Sequence, residues 1–361
     1  MNSDLFKIIE GGMQKDTQKV INYSKRLAEE YNEQGKTSTA RKIEKIITEN
    51  NTRFSTLDSL TSKPIDKDTK VDLIDVVVPF EEDEILFFNT IIENEIRDFI
   101  LSYDARHKLS DRGIPTTNNL LLYGPPGTGK SSLAKYISLQ LNLPLLTVRM
   151  DGVISSLLGS TAKNIRKVFD YASKQPCILF LDEFDVIAKV RDDRSEIGEL
   201  KRVVNSLIQN IDSFSEDSIL IAATNHSQLL DSAIWRRFDR VLLLDFPDEE
   251  IRRDLIVEFS KIMENNFMND KKKMEILVSV TEGLSPSQIK TIIMNVAKKS
   301  IIDSSECIKM SHLLYEIFIF RHPIVVDDEL IIFLNNKGVS QREIYTEFGI
   351  PVRRIQTVLN K

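Results

Sequence analysis

Two stretches of the chain concentrate residues suited to phosphate and water chemistry. Residues 124–131 read GPPGTGKS: Gly124, Pro125, Pro126, Gly127, Thr128, Gly129, Lys130 and Ser131, with Ser132 next in line. This is the complete G-x-x-x-x-G-K-[ST] spacing. Glycines lack a Cβ, so successive backbone N–H groups can close around phosphate oxygens. In such a loop the lysine reaches the β- and γ-phosphates, and the hydroxyl after it ligates Mg²⁺. The second stretch, CILFLDEFD at 177–185, is an apolar run ending in Asp182 and Glu183. Adjacent carboxylates at the end of a buried strand repel each other unless a cation is near. Asp182 suits the shell of the Mg²⁺, and Glu183 suits polarising a water for in-line attack on a γ-phosphate. A nucleotide with β- and γ-phosphates and Mg²⁺ are therefore the expected ligands.

These residues need a scaffold that brings strand ends together. From 118 to 247, short apolar runs alternate with amphipathic stretches. The expected strands are 119–123, 145–149, 177–182, 218–223 and 240–245. Between them, Ile165, Val168, Phe169 and Ala172 keep helical spacing, as do Leu200, Val203, Val204, Leu207, Ile208 and Ile211. Strands of this type alternating with helices predict a parallel sheet covered on both faces. The phosphate loop then lies between a strand and a helix beginning near Ser131, and ligands belong at the strands' carboxyl ends.

The rest of the chain divides by pattern. Residues 1–50 read as a helical hairpin, with Val20, Ser24, Leu27 and Tyr31 on one helix and Ala40, Ile43, Ile46 and Ile47 on the next. Gly35 offers the stop between them, and Thr37 or Ser38 the next cap. The hairpin either packs on its neighbour or docks a partner. Residues 51–83 read as a linker, and a helix is expected over 84–101 with Ile85, Phe88, Ile92, Ile96, Phe99 and Ile100 near one face. The α/β unit is expected over 84–247, a small helical domain over 248–325, and a separate helical module over 326–361.

With these motifs on the page, residues 84–320 resemble the AAA family of ring-forming ATPases, within the AAA+ superfamily. GPPGTGKS and LDEFD are similar to its Walker A and Walker B segments. SILIAATN (218–225) resembles its next strand and polar sensor, which implies that Asn225 positions the attacking water. LLDSAIWRRFD (229–239) is similar to the segment carrying arginine fingers, which implies that role for Arg236 and Arg237. The two are adjacent here, without the family's usual spacer, so the sequence does not separate their roles. Asp212-Ser213-Phe214 stands at an intersubunit signalling segment, and TEGLSPSQI (281–289) resembles the lid near the adenine. The Trp-Arg-Arg-Phe-Asp variant looks like a group of small bacterial AAA ATPases with a helical N-terminal hairpin. The resemblance implies a P-loop NTPase core with a helical lid and ATP hydrolysis. It also implies a homo-oligomer, usually a hexamer, because a finger supplied in trans acts on a neighbour's nucleotide.

The resemblance also implies a substrate-facing loop at Leu157-Leu158-Gly159, where the family usually carries an aromatic. Leu157 either grips a polypeptide or packs between subunits. At the other end, residues 338–360 read as a helix-turn-helix. Ser340 and Glu343 could form a capping box, Gly349 a turn, and Pro351 the first helical position. Arg353, Arg354 and Gln356 would face DNA, while Tyr345 stands where the two helices should approach closely. Three function classes follow: a remodeller of protein substrates, a DNA-associated regulator, and an ATP-state switch on a separate effector such as a protease.

Composition narrows the rest. Of 361 residues, 42% are hydrophobic and 28% charged, which excludes a wholly disordered chain. The formal charge of -6 argues against a bulk nucleic-acid coat. The two cysteines, Cys177 and Cys307, form no CxxC pair, and His107, His226, His312 and His322 show no metal-ligand spacing. No run approaches the ~18 apolar residues of a membrane span, and the first residues carry no secretory pattern. A cytoplasmic protein without a membrane partner is expected.

Overall fold

The computed structural model describes residues 85–114, 118–153, 158–185, 197–215, 217–322, 324 and 326–360, with 63–65, 72–77 and scattered positions among the first 42. Its centre is a six-stranded sheet in the order β1-β3-β4-β5-β2-β6. The strands are β1 (Ile74–Val77), β2 (Asn119–Tyr123), β3 (Leu145–Val148), β4 (Ile178–Leu181), β5 (Ile219–Thr224) and β6 (Arg240–Leu243). All pairings are parallel except β1 with β3.

The strand sequences are nearly continuous in apolar residues because both faces are covered. Alternate side chains go to opposite layers. Leu121, Leu179, Leu181, Leu220 and Ala222 meet α5 (Leu158–Ala172) and α6 (Ile197–Asp212), which pack on each other. Leu120, Leu122, Ile178, Phe180, Ile219 and Ile221 meet α1 (Thr90–Asp104) and α3 (Lys130–Leu141). The short α2 (Arg106–Ser110) follows α1, and α4 (Met150–Val153) follows β3. Leu121 is fully buried, so Leu121→Ala would cost about 2–5 kcal/mol.

Two local expectations change. The helix expected from residue 84 begins at Thr90, because Asn89 caps it: its Oδ1 accepts from the Ile92 N–H at 2.9 Å. Residues 85–89 are not helical. In the stretch that reads as linker, Ile74–Val77 pairs with β3, and Leu73 and Ile74 are fully buried.

After a short α7 (Ser232–Trp235) and β6, the chain becomes helical: α8 (Glu249–Ser260), α9 (Lys271–Val280), α10 (Pro286–Ile302) and α11 (Met310–Arg321). A two-stranded parallel pair, β7 (Glu264–Asn265) and β8 (Cys307–Ile308), joins them. Asp248 caps α8, and Ser285 with Gln288 forms a full capping box on α10, with Pro286 in its first turn.

The last helices, α12 (Asp327–Asn336), α13 (Gln341–Phe348) and α14 (Val352–Leu359), extend this same core. Leu330, Leu334, Ile344, Ile355 and Val358 are buried with Leu313 and Ile317. Glu347 of α13 takes both carboxylate oxygens to Lys309 Nζ at 2.8 Å and one to His312 Nε2 at 3.0 Å. The Lys309 ammonium holds the Glu347 carboxyl below its ordinary range. Gly349 turns the chain at φ 68, and Ser340 accepts from the Glu343 N–H. Pro351 precedes α14 instead of opening it. Tyr345 is 51% exposed, so it does not hold the two helices apart; Ile344 takes the buried place. No helix among the described residues is long and apolar enough to cross a membrane.

Candidate nucleotide site

Strand order determines which loops can meet. β5 lies between β2 and β4, with Tyr123 level with Thr224 and Leu181 level with Ala222. The residues following these three strands therefore converge at one edge: the loop at 124–129, the Asp182-Glu183 pair and Asn225. They line a cavity of about 560 Å³ that contains Pro126, Gly127, Thr128, Gly129, Lys130, Ser131, Ser132, Asp182, Glu183 and Asn225.

The loop's backbone explains its glycines. At Gly124, φ is 144 and a Cβ would lie 2.1 Å from the Leu244 carbonyl oxygen, so no side chain fits. Gly127 carries φ 77 and lies against Ser285 and Ser287 of the lid, and the Ser287 N–H donates to its carbonyl at 3.2 Å. Thr128 folds its hydroxyl back onto the Pro125 carbonyl at 2.9 Å. Lys130 is 7% exposed and opens α3. Its Nζ donates to the Gly124 and Pro125 carbonyls at 2.9 and 2.7 Å. Burial lowers the pKa of this ammonium, while the charges of Asp182 and Asp185 oppose the fall. A buried cation at the amino end of a twelve-residue helix favours an anion.

Opposite the loop, Ser131 Oγ donates to Asp182 Oδ2 at 2.8 Å. A hydroxyl beside a carboxylate is an all-oxygen donor set, which fits Mg²⁺. Among the described residues, no group of three or more His, Cys, Asp or Glu could hold a metal without such help. Glu183 sits in the left-handed region at φ 49, its N–H donating to Asp182 Oδ1 at 2.9 Å. Asn225 has its Oδ1 buried with no hydrogen-bond partner among the described residues. An orphaned buried acceptor costs free energy unless a donor such as water meets it.

Arg236 and Arg237 are elsewhere. They follow α7 and lie beside Asn118, Asn119 and Asp212, around the amino end of β2. Asn119 Nδ2 donates to the Arg237 carbonyl at 2.8 Å. Asn119 opens β2 and the phosphate loop follows Tyr123, so the strand alone separates them by about 13 Å. Arg237 makes a forked ion pair with Asp212 at 3.0 and 3.2 Å. Arg236 is exposed and makes no ion pair among the described residues.

The profile described as "ATPase family associated with various cellular activities (AAA)" matches residues 120–246, spanning the sheet from β2 through β6. Residues 120–246 are similar to the AAA family of ATPases. The AAA family ATPase y4kL of Sinorhizobium fredii is 49% identical over 156 residues, 43% of this chain and 47% of that protein. The proteasome-activating nucleotidase of Sulfurisphaera tokodaii is 33% identical over 229 residues, 61% of this chain and 58% of its own. The ATP-dependent zinc metalloprotease FtsH of Sulfurovum is 32% identical over 230 residues, 62% of this chain and 34% of its own. The chain thus spans between about a third and somewhat over half of these curated relatives.

The AAA site has a second wall that sequence motifs did not reveal. Phe87 and Phe88, Leu255 and Phe259 of α8, and Met294 of α10 line the cavity away from the phosphate loop. Lys290 Nζ lies 5.7 Å from the Phe259 ring centre. Such apolar surfaces suit the flat faces of a purine. The signal was present as apolar residues just before α1, but a helical reading of 84–101 left Phe87 off its apolar face, whereas it packs on the C-terminal helical core. Leu157, with its substrate-loop expectation, lies outside the described residues. So do Gly35, Thr37, Ser38, Ala40, Ile43, Ile46 and Ile47 of the expected hairpin.

Proposed function

We propose that the protein hydrolyses ATP as a homo-oligomeric ring, a hexamer by analogy with its family, and uses the cycle to move or unfold a protein substrate. One observation carries this reading: five polar groups from the ends of three neighbouring strands line one cavity, while the arginine pair lies at the far end of β2. Lys130 holds the β- and γ-phosphates. Ser131 and Asp182 would hold Mg²⁺, which when bound neutralises charge building on the phosphates. Glu183 takes the proton side of the attacking water, and the orphaned Asn225 Oδ1 orients that water. None of these groups can neutralise the outer face of the γ-phosphate as the bond to it breaks.

Arg236 supplies that charge to the adjacent copy. It cannot reach the nucleotide of its own chain across the length of β2. Arg237, engaged by Asp212, holds the turn that presents Arg236. The two cores support a large α/β unit over 84–247 and a lid over 248–325, with 326–361 packed on the lid.

The named relatives favour a protein substrate over DNA. One is a proteasome-activating nucleotidase and another an ATP-dependent zinc metalloprotease. The same names support, as a second reading, control of a separate protease by the ATP state. The C-terminal helices weaken the DNA reading, since Arg354 is paired with Asp327 and Asp328 at 3.0 and 3.3 Å. Acidic neighbours offset the field a phosphate backbone needs. A cytoplasmic location completes the reading. ATP turnover measured with an unfolded protein and with duplex DNA tests it: stimulation by the protein alone is expected, and stimulation by DNA alone overturns the substrate class.

A further inference from the structure

A buried polar link joins the segment after β4 to the end of β5, and neither of its two residues lines the cavity. Asp185 is 2% exposed and Thr224 1%. Thr224 Oγ1 donates to Asp185 Oδ1 at 3.1 Å and accepts from the His226 N–H at 3.0 Å. One hydroxyl therefore bridges across Asn225, gripping the chain on both sides of it. The Phe184 N–H donates to the Ala223 carbonyl at 2.9 Å, a second tie between the same two segments. Glu183 lies within the tied segment, in a backbone conformation that an L-residue holds only where its surroundings fix it.

An apolar pair would pack this space at less risk. A buried carboxylate costs free energy unless its acceptors are met. This carboxylate lies between the two segments that carry Glu183 and Asn225. Asp185 also lies close enough to Lys130 for its charge to raise that group's pKa. Thr224 lacks that second effect and is the cleaner handle.

We infer that the Asp185–Thr224 link is the positioning device of hydrolysis, setting the distance between the Glu183 carboxylate and the Asn225 amide. The inference rests on the ATPase reading above. Asp185 and Thr224 act through Glu183 and Asn225.

The test compares Thr224→Val, nearly isosteric but without the hydroxyl, with Thr224→Ser, which restores it, in the full chain. A fluorescent ATP analogue measures binding, and phosphate release measures turnover. Thr224→Val should bind nucleotide within about twofold of wild type and turn over about 30-fold more slowly. Thr224→Ser should recover most of that loss. Adding Thr224→Val to Asn225→Ala should slow turnover by no more than about twofold beyond Asn225→Ala alone, because both remove one unit. If Thr224→Val does not fold, Thr224→Ala removes the same hydroxyl with less bulk and should show the same split. Wild-type turnover in the valine variant, equal loss in the valine and serine variants, or multiplying effects in the double variant would each overturn the inference alone. A wild-type assembly that binds ATP and never hydrolyses it would overturn the ATPase reading as well.

Discussion

The two ends of β2 differ in kind. At the carboxyl end, the loop, Lys130, Ser131, Asp182, Glu183 and Asn225 are brought together by adjacent strands of one chain. At the amino end, the arginine turn is solvent-facing, one guanidinium paired with Asp212 and the other exposed. The first end lines a cavity of about 560 Å³; the second lines a smaller one of about 240 Å³ beside its two arginines. On the proposed reading, a single chain holds a phosphate site without its arginine finger, and the finger away from that site. On the reading proposed above, a second copy closes both deficits at once, turned so that one copy's amino end meets the other's carboxyl end. Such a head-to-tail contact generates a ring when its rotation closes.

The largest effect should come from the end that acts across the interface. Arg236→Ala should lower turnover about 10³-fold with nucleotide affinity nearly intact, measured by phosphate release and by equilibrium binding. Arg237→Ala should fall less, since it removes the support of the turn; an inverted order would reassign the finger. Glu183→Gln keeps the side-chain shape and loses the basic oxygen, so turnover should drop about 10²-fold or more while ATP stays bound. Lys130→Ala should instead weaken ATP binding by about a hundredfold, because a charge-assisted contact to phosphate disappears. The smallest effect belongs to the C-terminal helices. Arg354→Ala breaks half-exposed ion pairs with Asp327 and Asp328, so thermal stability should fall by less than about 1 kcal/mol. Binding to duplex DNA should not change, and a salt-dependent loss of it would revive the DNA reading.

The contiguous motifs were legible in the sequence: GPPGTGKS and LDEFD fall at the ends of β2 and β4, and those strands are nearly continuous apolar runs. Where function depends on what packs against what, it was not. Ile85 and Phe88 fit a helical face as well as an extended wall, and only the Asn89 cap decides between them. Ile74–Val77 is four residues long, too short for periodicity to separate it from a linker. Ile344 is buried as its apolar spacing predicts, while Tyr345 beside it is half exposed and does not stand between the two helices. Adjacent Arg236 and Arg237 look equivalent in the sequence; Asp212, more than twenty positions earlier, makes them different.

A mixing experiment tests the central claim most directly. Arg236→Ala and Glu183→Gln chains, each nearly inactive alone, are co-expressed with distinguishable tags and the mixed assemblies purified. At equal amounts, about a quarter of the junctions in a head-to-tail ring join an intact Arg236 to a site with an intact Glu183. The account predicts that ATP turnover reappears in the mixed assemblies, well above either variant, and scales with the product of the two fractions. Turnover that never exceeds the sum of the two variants at any ratio, or full wild-type turnover in a demonstrated monomer, would contradict it.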